Sequence, residues 1–438
     1  MKSSYSTPSI SVVMPAFNRQ KYIGEAIESI LGQTFSDFEL IIINDGSEDK
    51  TIEVVQSYHD PRIILITHDK QKGVAAARNT GYSAARGKYI AISDSDDKNL
   101  PHRLEKQYQF LEANKHIDVV ACWIQEYAEE KILNEIRYDE DDESIRAKMI
   151  FNPGVPAFMM FRKEKIENSR CLFHDEAYKA AVDYQWYSSL PNDIRISCVP
   201  EVLYLYRRHN NQISTGGLST QQFFANKVRR MNLMRVGLNP SEEEMLIHFY
   251  LCNTPLAPVH KINFEHVFTW CKSILEANKK TRRFNHHQLN RHITQRIFSL
   301  LEQLDVYNEQ LFNDFLGTGV FLTETLPENQ LDIDLLAKKL DRNRYTIIYG
   351  TKRFGFYIKK ELEKRNINLD YFLDHHIKIN NMDLAGKPVK TLEELKEDLP
   401  SCNIIISDKS FARYELRSKL MKEFNVNENH IFIIDDFM

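Results

Sequence analysis

Tyr89-Ile90-Ala91-Ile92-Ser93 runs directly into Asp94-Ser95-Asp96-Asp97. The first five residues are nearly continuously apolar, the pattern of a short strand buried on both faces of a mainly parallel sheet. The next four carry three carboxylates. Like charges crowded at a strand end repel one another unless a cation shares the site. Alternate carboxylates there suit a hard divalent ion whose shell is completed by water and substrate phosphates. An exposed acidic turn has the same composition, so the tetrapeptide alone leaves both readings open.

Upstream, residues 10–14, 40–44 and 63–67 have the same Ile- and Val-rich character. Between the first two, Tyr22, Ile23, Ala26, Ile27, Ile30 and Leu31 mark one apolar face at helical spacing. Asp45-Gly46-Ser47 closes the second run, and Ser47 or Asp49 is placed to cap the next helix. Strands alternating with helices predict a doubly wound α/β sheet. Ligands of such sheets sit beyond the carboxyl ends of the strands. That places the loops at 15–19, 44–47, 68–73 and 94–97 on one rim. Further along, residues 216–342 are helix-rich and polar, with amphipathic stretches at 264–277 and 292–304 and no catalytic motif. A second α/β pattern then begins: strands at 345–349, 369–373, 403–407 and 431–434, and a helix at 354–364. The chain is therefore expected to hold an α/β domain in 1–215, a helical linker or accessory region in 216–342, and a small Rossmann-like α/β domain in 343–438.

At 438 residues the chain has room for two or three domains at ~100–200 residues each. Its 42% hydrophobic and 27% charged residues are a globular balance. A net charge of −4 argues against a general nucleic-acid binder, which needs a basic face to neutralise phosphates. No apolar run has the length of a membrane-spanning helix, and residues 1–8 lack the apolar core of a signal peptide. The six cysteines are scattered without a C-x-x-C pair, as expected of a reduced cytoplasmic protein with small core thiols. After the first strand stands Pro15-Ala16-Phe17-Asn18-Arg19, which is neither a dinucleotide fingerprint nor a P-loop. A sugar nucleotidyltransferase would be expected to carry a glycine-rich loop at that point.

Four segments in order carry a resemblance. They are Val12-Val13-Met14-Pro15-Ala16-Phe17-Asn18, Asn44-Asp45-Gly46-Ser47, Gly73-Val74-Ala75-Ala76-Ala77-Arg78-Asn79 and Asp94-Ser95-Asp96-Asp97. Their order and spacing resemble glycosyltransferase family 2, inverting enzymes of the GT-A fold, over about residues 8–215. The resemblance implies that Pro15, Asp45 and Arg78 contact the nucleoside. Arg78 could instead be an ion-pair partner on a helix surface. Asp94 and Asp96 correspond to the family's metal motif, with Asp97 alongside, and Asp94 also meets the donor. The implied cofactor is Mn2+ or Mg2+, a Lewis acid for the departing nucleotide. Phe151-Asn152-Pro153-Gly154-Val155-Pro156 resembles the glycine-containing loop near the donor sugar, which puts Gly154 in that role. Ala181-Val182-Asp183-Tyr184-Gln185-Trp186 stands where family members carry Glu-Asp-Tyr-Asp-Leu-Trp, so Asp183 is the expected general base; as a carboxylate at a helix start it could also be a plain cap. Val182 replaces the usual Glu. In the segment from Glu201 to Ser214, His209 matches a residue that ligates the metal or meets the diphosphate, and Arg207 or Arg208 is expected to offer charge there.

The same resemblance implies a hexosyltransferase with a nucleotide-sugar donor, UDP-linked hexose or N-acetylhexosamine by default. The expected acceptor is a glycan or a lipid-linked saccharide in bacterial surface polysaccharide assembly. The location implied is cytoplasmic, with peripheral association at the inner membrane face if the acceptor is lipid-linked. The alternative is a non-catalytic glycan- or nucleotide-binding scaffold descended from a transferase. At the C-terminus, Gly350-Thr351-Lys352-Arg353-Phe354-Gly355 and Asp374 resemble the Rossmann-type module of some sugar-modifying enzymes. Lys352 stands where a glycine would let backbone approach a pyrophosphate, so a degenerate structural module is expected.

Overall fold

A computed structural model describes residues 7–128, 131–209, 218–252, 262–301, 311, 315, 320, 332–349, 353–373, 383–384, 387–407 and 412–433. Residues 210–214 of the closing segment, and 350–352 and 374 of the C-terminal module, lie outside them. The chain divides into two compact units, Met1–Phe249 with Ser273–Leu289, and Tyr250–Lys272 with Asn290–Met438.

The first unit opens with β1 (Ile10–Ala16), α1 (Ile23–Leu31), β2 (Phe38–Asn44), α2 (Thr51–Gln56), β3 (Ile63–Thr67), α3 (Val74–Ala84) and β4 (Tyr89–Ile92). Consecutive side chains of a strand point to opposite faces, and here both faces are covered. Val12, Met14, Leu40 and Ile42 pack against Ile23, Ala26, Ile27 and Ile30 of α1. Val13, Ile41 and Ile43 pack against Ala75 and Ala77 of α3. This two-sided burial is why the strands read as unbroken apolar runs rather than as an alternation. Of the two expected caps, Asp49 accepts the N–H of Thr51 at 2.9 Å, while Ser47 turns to accept the N–H of Asn18 at 3.0 Å.

The chain continues through β5 (Lys98–Asn99), α4 (Arg103–Ala113), β6 (Val119–Ala128), β7 (Lys131–Ile136), α5 (Asp142–Lys148), β8 (Met160–Arg162), α6 (Lys163–Asn168), α7 (Val182–Ser189) and β9 (Ile196–Arg207). The sheet runs β3-β2-β1-β4-β8-β6-β9-β5, with β7 on β6. β3 to β4 are parallel, as their spacing predicts. Beyond them β8 is antiparallel to both β4 and β6, so the whole sheet is mixed. The α/β core that the GT-A resemblance implies is therefore present. Helices follow at Leu218–Arg235, Glu242–Cys252, Phe264–Thr281 and His286–Leu301.

The second unit holds a smaller sheet. It contains β10 (Tyr345–Tyr349), β11 (Tyr371–Leu373), β12 (Asp383–Leu384), β13 (Lys387–Lys390), β14 (Cys402–Ile406) and β15 (Ile431–Ile433), in the order β12-β13-β11-β10-β14-β15. All its pairings are parallel except β12 with β13. Ile348, Phe372 and Ile405 pack on Leu336, Ile358 and Leu362, and Ile347, Leu373 and Ile404 on Leu420 and Phe424.

Candidate active site

Strand register makes the rim. Ala16 lies opposite Asn44, and Asn44 opposite Thr67, so the first three strands end flush. Ser93 donates its N–H to the Val13 carbonyl at 3.1 Å, which brings Asp94 out beside Pro15. Above this edge lies a cavity of about 780 Å³, and Pro15, Asp45, Arg78, Asp94, Asp96 and Asp183 all line it. Residues from three strand ends and two helices are thus gathered at one surface.

Asp45 is nearly buried, and much of its hydrogen-bonding capacity serves the loop after β3. Oδ1 accepts the Lys72 N–H at 2.9 Å and faces His68 Nδ1 at 2.7 Å, and Oδ2 accepts the Gly73 N–H at 2.7 Å. The adjoining turn depends on Gly46, whose φ is +72° and whose Cβ, if it had one, would lie 2.6 Å from the Gln71 nitrogen. Asn-Asp-Gly-Ser is therefore a joint between two rim loops as well as a cavity wall.

The acidic loop is held from three sides. Asp94 Oδ1 accepts from Arg78 Nη2 at 3.2 Å, and its N–H donates to the Tyr204 hydroxyl at 3.1 Å. Asp96 Oδ2 meets Arg19 Nε at 3.0 Å and His209 Nε2 at 3.1 Å. His209 stacks on Tyr22 with 4.6 Å between ring centres. Asp97 is fully buried and accepts the Arg207 N–H at 2.8 Å, so it anchors the loop from inside. Burial first, then repulsion from Asp96 and Asp94, pushes the Asp97 carboxyl well above its ordinary value. Burial and the nearby Asp96 and Asp183 also raise Asp94, against the opposing pull of Arg78. Arg207 donates to the Asp96 carbonyl at 2.8 Å and to Glu25 at 2.9 Å, so its guanidinium supports the loop from behind. Arg208 stands 3.7 Å from Glu126.

Asp183 lies in the first turn of α7. The preceding Ala181 has φ of +52°, a left-handed conformation costly for a residue with a Cβ. Its N–H donates to Gln221 Oε1 at 3.1 Å, from the helix Leu218–Arg235. That bond helps hold the bend that swings Asp183 into the cavity, where Oδ1 accepts from Arg78 Nη1 at 3.1 Å. Arg78 is on a helix, as its spacing implies, but buried rather than on the surface.

Gly154 is placed differently. It is buried, and a Cβ there would lie 2.4 Å from the Ile145 carbonyl oxygen, so close backbone packing on α5 requires the glycine. It is not among the described residues that line the cavity. Several supporting residues carried no readable signal. Gln221 lies beyond every motif. Arg103 is fully buried under the acidic loop, donating to the Ile92 carbonyl at 2.7 Å, and its guanidinium stands 5.1 Å from the Tyr204 ring centre. Arg19 was legible only as the end of the loop after β1. Among the described residues no group of three or more His, Cys, Asp or Glu is gathered closely enough to hold a metal ion by itself.

Residues 11–179 match the model of the glycosyl transferase family 2. An uncharacterized glycosyltransferase of Methanocaldococcus jannaschii is 35% identical over 234 residues, covering 51% of this chain and 79% of that one. The chain belongs to glycosyltransferase family 2. An uncharacterized glycosyltransferase of Haemophilus influenzae is similar as well, 31% identical over 241 residues, 52% of this chain and 73% of its own. A looser likeness joins the chain to the crystal structure of S. aureus TarS 1–349 in complex with UDP-GlcNAc, at 17% identity and a TM-score of 0.46, covering 71% and 92%. Membership makes the chain a glycosyltransferase with a nucleotide-sugar donor. The family match ends before Asp183 and His209, so their roles rest on the motif resemblance and on the geometry above.

Proposed function

We propose that this glycosyltransferase is metal-assisted and inverting, and that it moves a hexose or N-acetylhexosamine from a UDP-linked donor to a hydroxyl of a glycan or lipid-linked saccharide. The observation that carries the reading is the shared cavity of Asp94 and Asp183, both bonded to Arg78. It brings the carboxylate expected at the departing diphosphate close to the one expected at the attacking hydroxyl. The nucleoside would lie over Pro15 and Asp45.

In the reaction, the acceptor oxygen attacks the anomeric carbon from the face opposite the nucleotide. The new C–O bond forms as the bond to the diphosphate breaks, and the electron pair leaves with the diphosphate. Asp183 takes the acceptor's proton. One displacement inverts the centre, and no covalent intermediate is needed.

The residues fit a hard divalent cation by chemistry. Asp94 and Asp96 offer carboxylate oxygens at one cavity, with the His209 imidazole against Asp96. Magnesium and manganese are commonly held through one or two carboxylates together with substrate phosphates, so three converging protein ligands are not required. Bound there, the ion would supply charge neutralisation for the leaving diphosphate. Bacterial surface polysaccharide assembly is the setting this reading favours. It places the enzyme in the cytoplasm, with peripheral contact at the inner membrane face where the acceptor is lipid-linked. Among the described residues no helix is long and apolar enough to cross a membrane.

The test is donor hydrolysis across a panel of nucleotide sugars with manganese, magnesium or chelator. Turnover of one donor, abolished by chelator and by Asp96→Ala, supports the proposal and names the sugar. No turnover, together with no metal-dependent binding of any nucleoside diphosphate, sinks it in favour of a binding scaffold.

A further inference from the structure

Arg78 lies on α3, which presses close to β1: a Cβ at Gly81 would stand 2.4 Å from Val13 Cγ1. That close approach carries Arg78 under the acidic rim, where its side chain is 3% exposed. A buried guanidinium is costly unless its hydrogen bonds and charge are matched. Here Nη1 donates to Asp183 Oδ1 at 3.1 Å and Nη2 to Asp94 Oδ1 at 3.2 Å. Nε is buried and has no hydrogen-bond partner.

A contact to a nucleoside needs N–H groups free to reach a base or ribose. Each terminal nitrogen gives one N–H to a carboxylate on a different element, one after β4 and one in α7, and the almost complete burial of the side chain keeps its remaining N–H groups from a base or ribose. The guanidinium is planar and rigid, so it fixes the separation of the two carboxylates rather than merely neutralising them. With Oδ1 of Asp183 held, Oδ2 is the oxygen left for an acceptor hydroxyl.

We propose that Arg78 is a positioning residue that sets the spacing between Asp94, at the donor diphosphate, and Asp183, at the acceptor hydroxyl, and that it is not a nucleoside contact. This rests on the transferase reading above. Removing the fork should leave nucleotide affinity in place, misplace the base, and free Asp94 from its protein cation.

The test uses the full chain with Arg78→Met, Arg78→Lys and Asp183→Asn, each checked for folding by its melting curve. UDP and GDP binding with MnCl2 is measured by calorimetry. Binding of MnCl2 alone is followed by electron paramagnetic resonance, and turnover is measured with whichever donor the panel identifies. For Arg78→Met we expect nucleoside diphosphate affinity within about threefold of the parent. Turnover at saturating donor should fall about 100-fold, and MnCl2 alone should bind more tightly. Arg78→Lys should recover part of the turnover, since an ammonium can hold one carboxylate at a time but lacks the fork.

Nucleoside diphosphate affinity lowered about tenfold or more, with turnover at saturation retained, would overturn the proposal and restore the nucleoside contact. Unchanged values in every measurement would overturn it too. If Asp183→Asn keeps the parent's turnover, the assignment of the base fails, and the two titrations still decide the role of Arg78. The titrations also decide alone if no donor is turned over: tighter manganese with unweakened nucleotide supports positioning, and weakened nucleotide refutes it. Should Arg78→Met fail to fold, Arg78→Lys is judged by the same criteria with smaller changes.

Discussion

The two sheets of this chain are built from the same material and differ in what they bury among it. β1, β2 and β4 of the first unit and β10 and β14 of the second are Ile-rich parallel strands with apolar residues buried on both faces. In the second sheet, the described buried polar residues are the uncharged Thr346, Asn403 and Ser407. Asn403 donates to the Asp341 carbonyl at 2.7 Å, and Ser407 to the Tyr349 carbonyl at 2.9 Å. The first unit instead buries Asp45, Asp96, Asp97, Arg78, Arg103 and Arg207 at or behind its rim. A parallel α/β sheet does not need buried charge to fold, and burying it costs stability unless each group is matched. Buried charge therefore marks the first unit, where Glu39, Asp118, Arg146 and Arg229 add to the rim set, and is absent from the described buried polar residues of the second sheet.

The largest effect that sharpens this contrast is on catalysis. Asp183→Asn should keep the fold and lower turnover by about 10²- to 10⁴-fold, the usual contribution of a positioned general base. Steady-state kinetics at saturating donor reads it, and near-parental turnover would remove Asp183 from the mechanism. Next comes Arg103→Met, which leaves the Ile92 carbonyl and the Asn99 side chain without their buried donor. Stability should fall by about 2–4 kcal/mol, measured by urea unfolding. A loss below ~1 kcal/mol would show that the buried charge was nearly neutral to stability.

Gly154→Ala drives a methyl onto the Ile145 carbonyl and should cost about 1–3 kcal/mol, again by urea unfolding. If stability is unchanged and donor binding weakens instead, the glycine serves the donor sugar, as the motif resemblance implies. Asn403→Ala, in the second sheet, should cost about 1 kcal/mol and leave turnover untouched. A loss of turnover there would break the contrast by giving the second sheet a part in the reaction. The smallest effect expected is a modest rise in melting temperature on adding manganese, present in the parent and absent in Asp96→Ala; a rise of the same size in both would place the ion elsewhere.

The strands were legible because two-sided burial demands continuous apolar sequence. Ile63–Thr67 and Tyr345–Tyr349 begin and end where the apolar run does, although Ile63–Thr67 lies at the sheet edge and is only partly buried. The rim came from the rule that strand ends carry the ligand, Arg78 and Asp183 came from the motif resemblance, and Pro15, Asp45, Arg78, Asp94, Asp96 and Asp183 do line one cavity. The antiparallel insertion of β8 between β4 and β6 was not legible, because a three-residue strand carries too little pattern to show its direction. Gly154 was read as a site residue from its motif, and its buried contact with Ile145 could not be foreseen from spacing.

By itself, then, the sequence determined the local elements, the family and the set of charged residues offered at the strand ends, since these depend on periodicity and on short-range order along the chain. Tertiary structure alone decided how those charges are paired. That Arg78 holds Asp94 and Asp183 together, that Arg19 and His209 share Asp96, and that Gln221 pins the bend before Asp183 are contacts between residues far apart in the chain. Electrostatic pairing depends on distance and burial in space, and no spacing along a sequence encodes either.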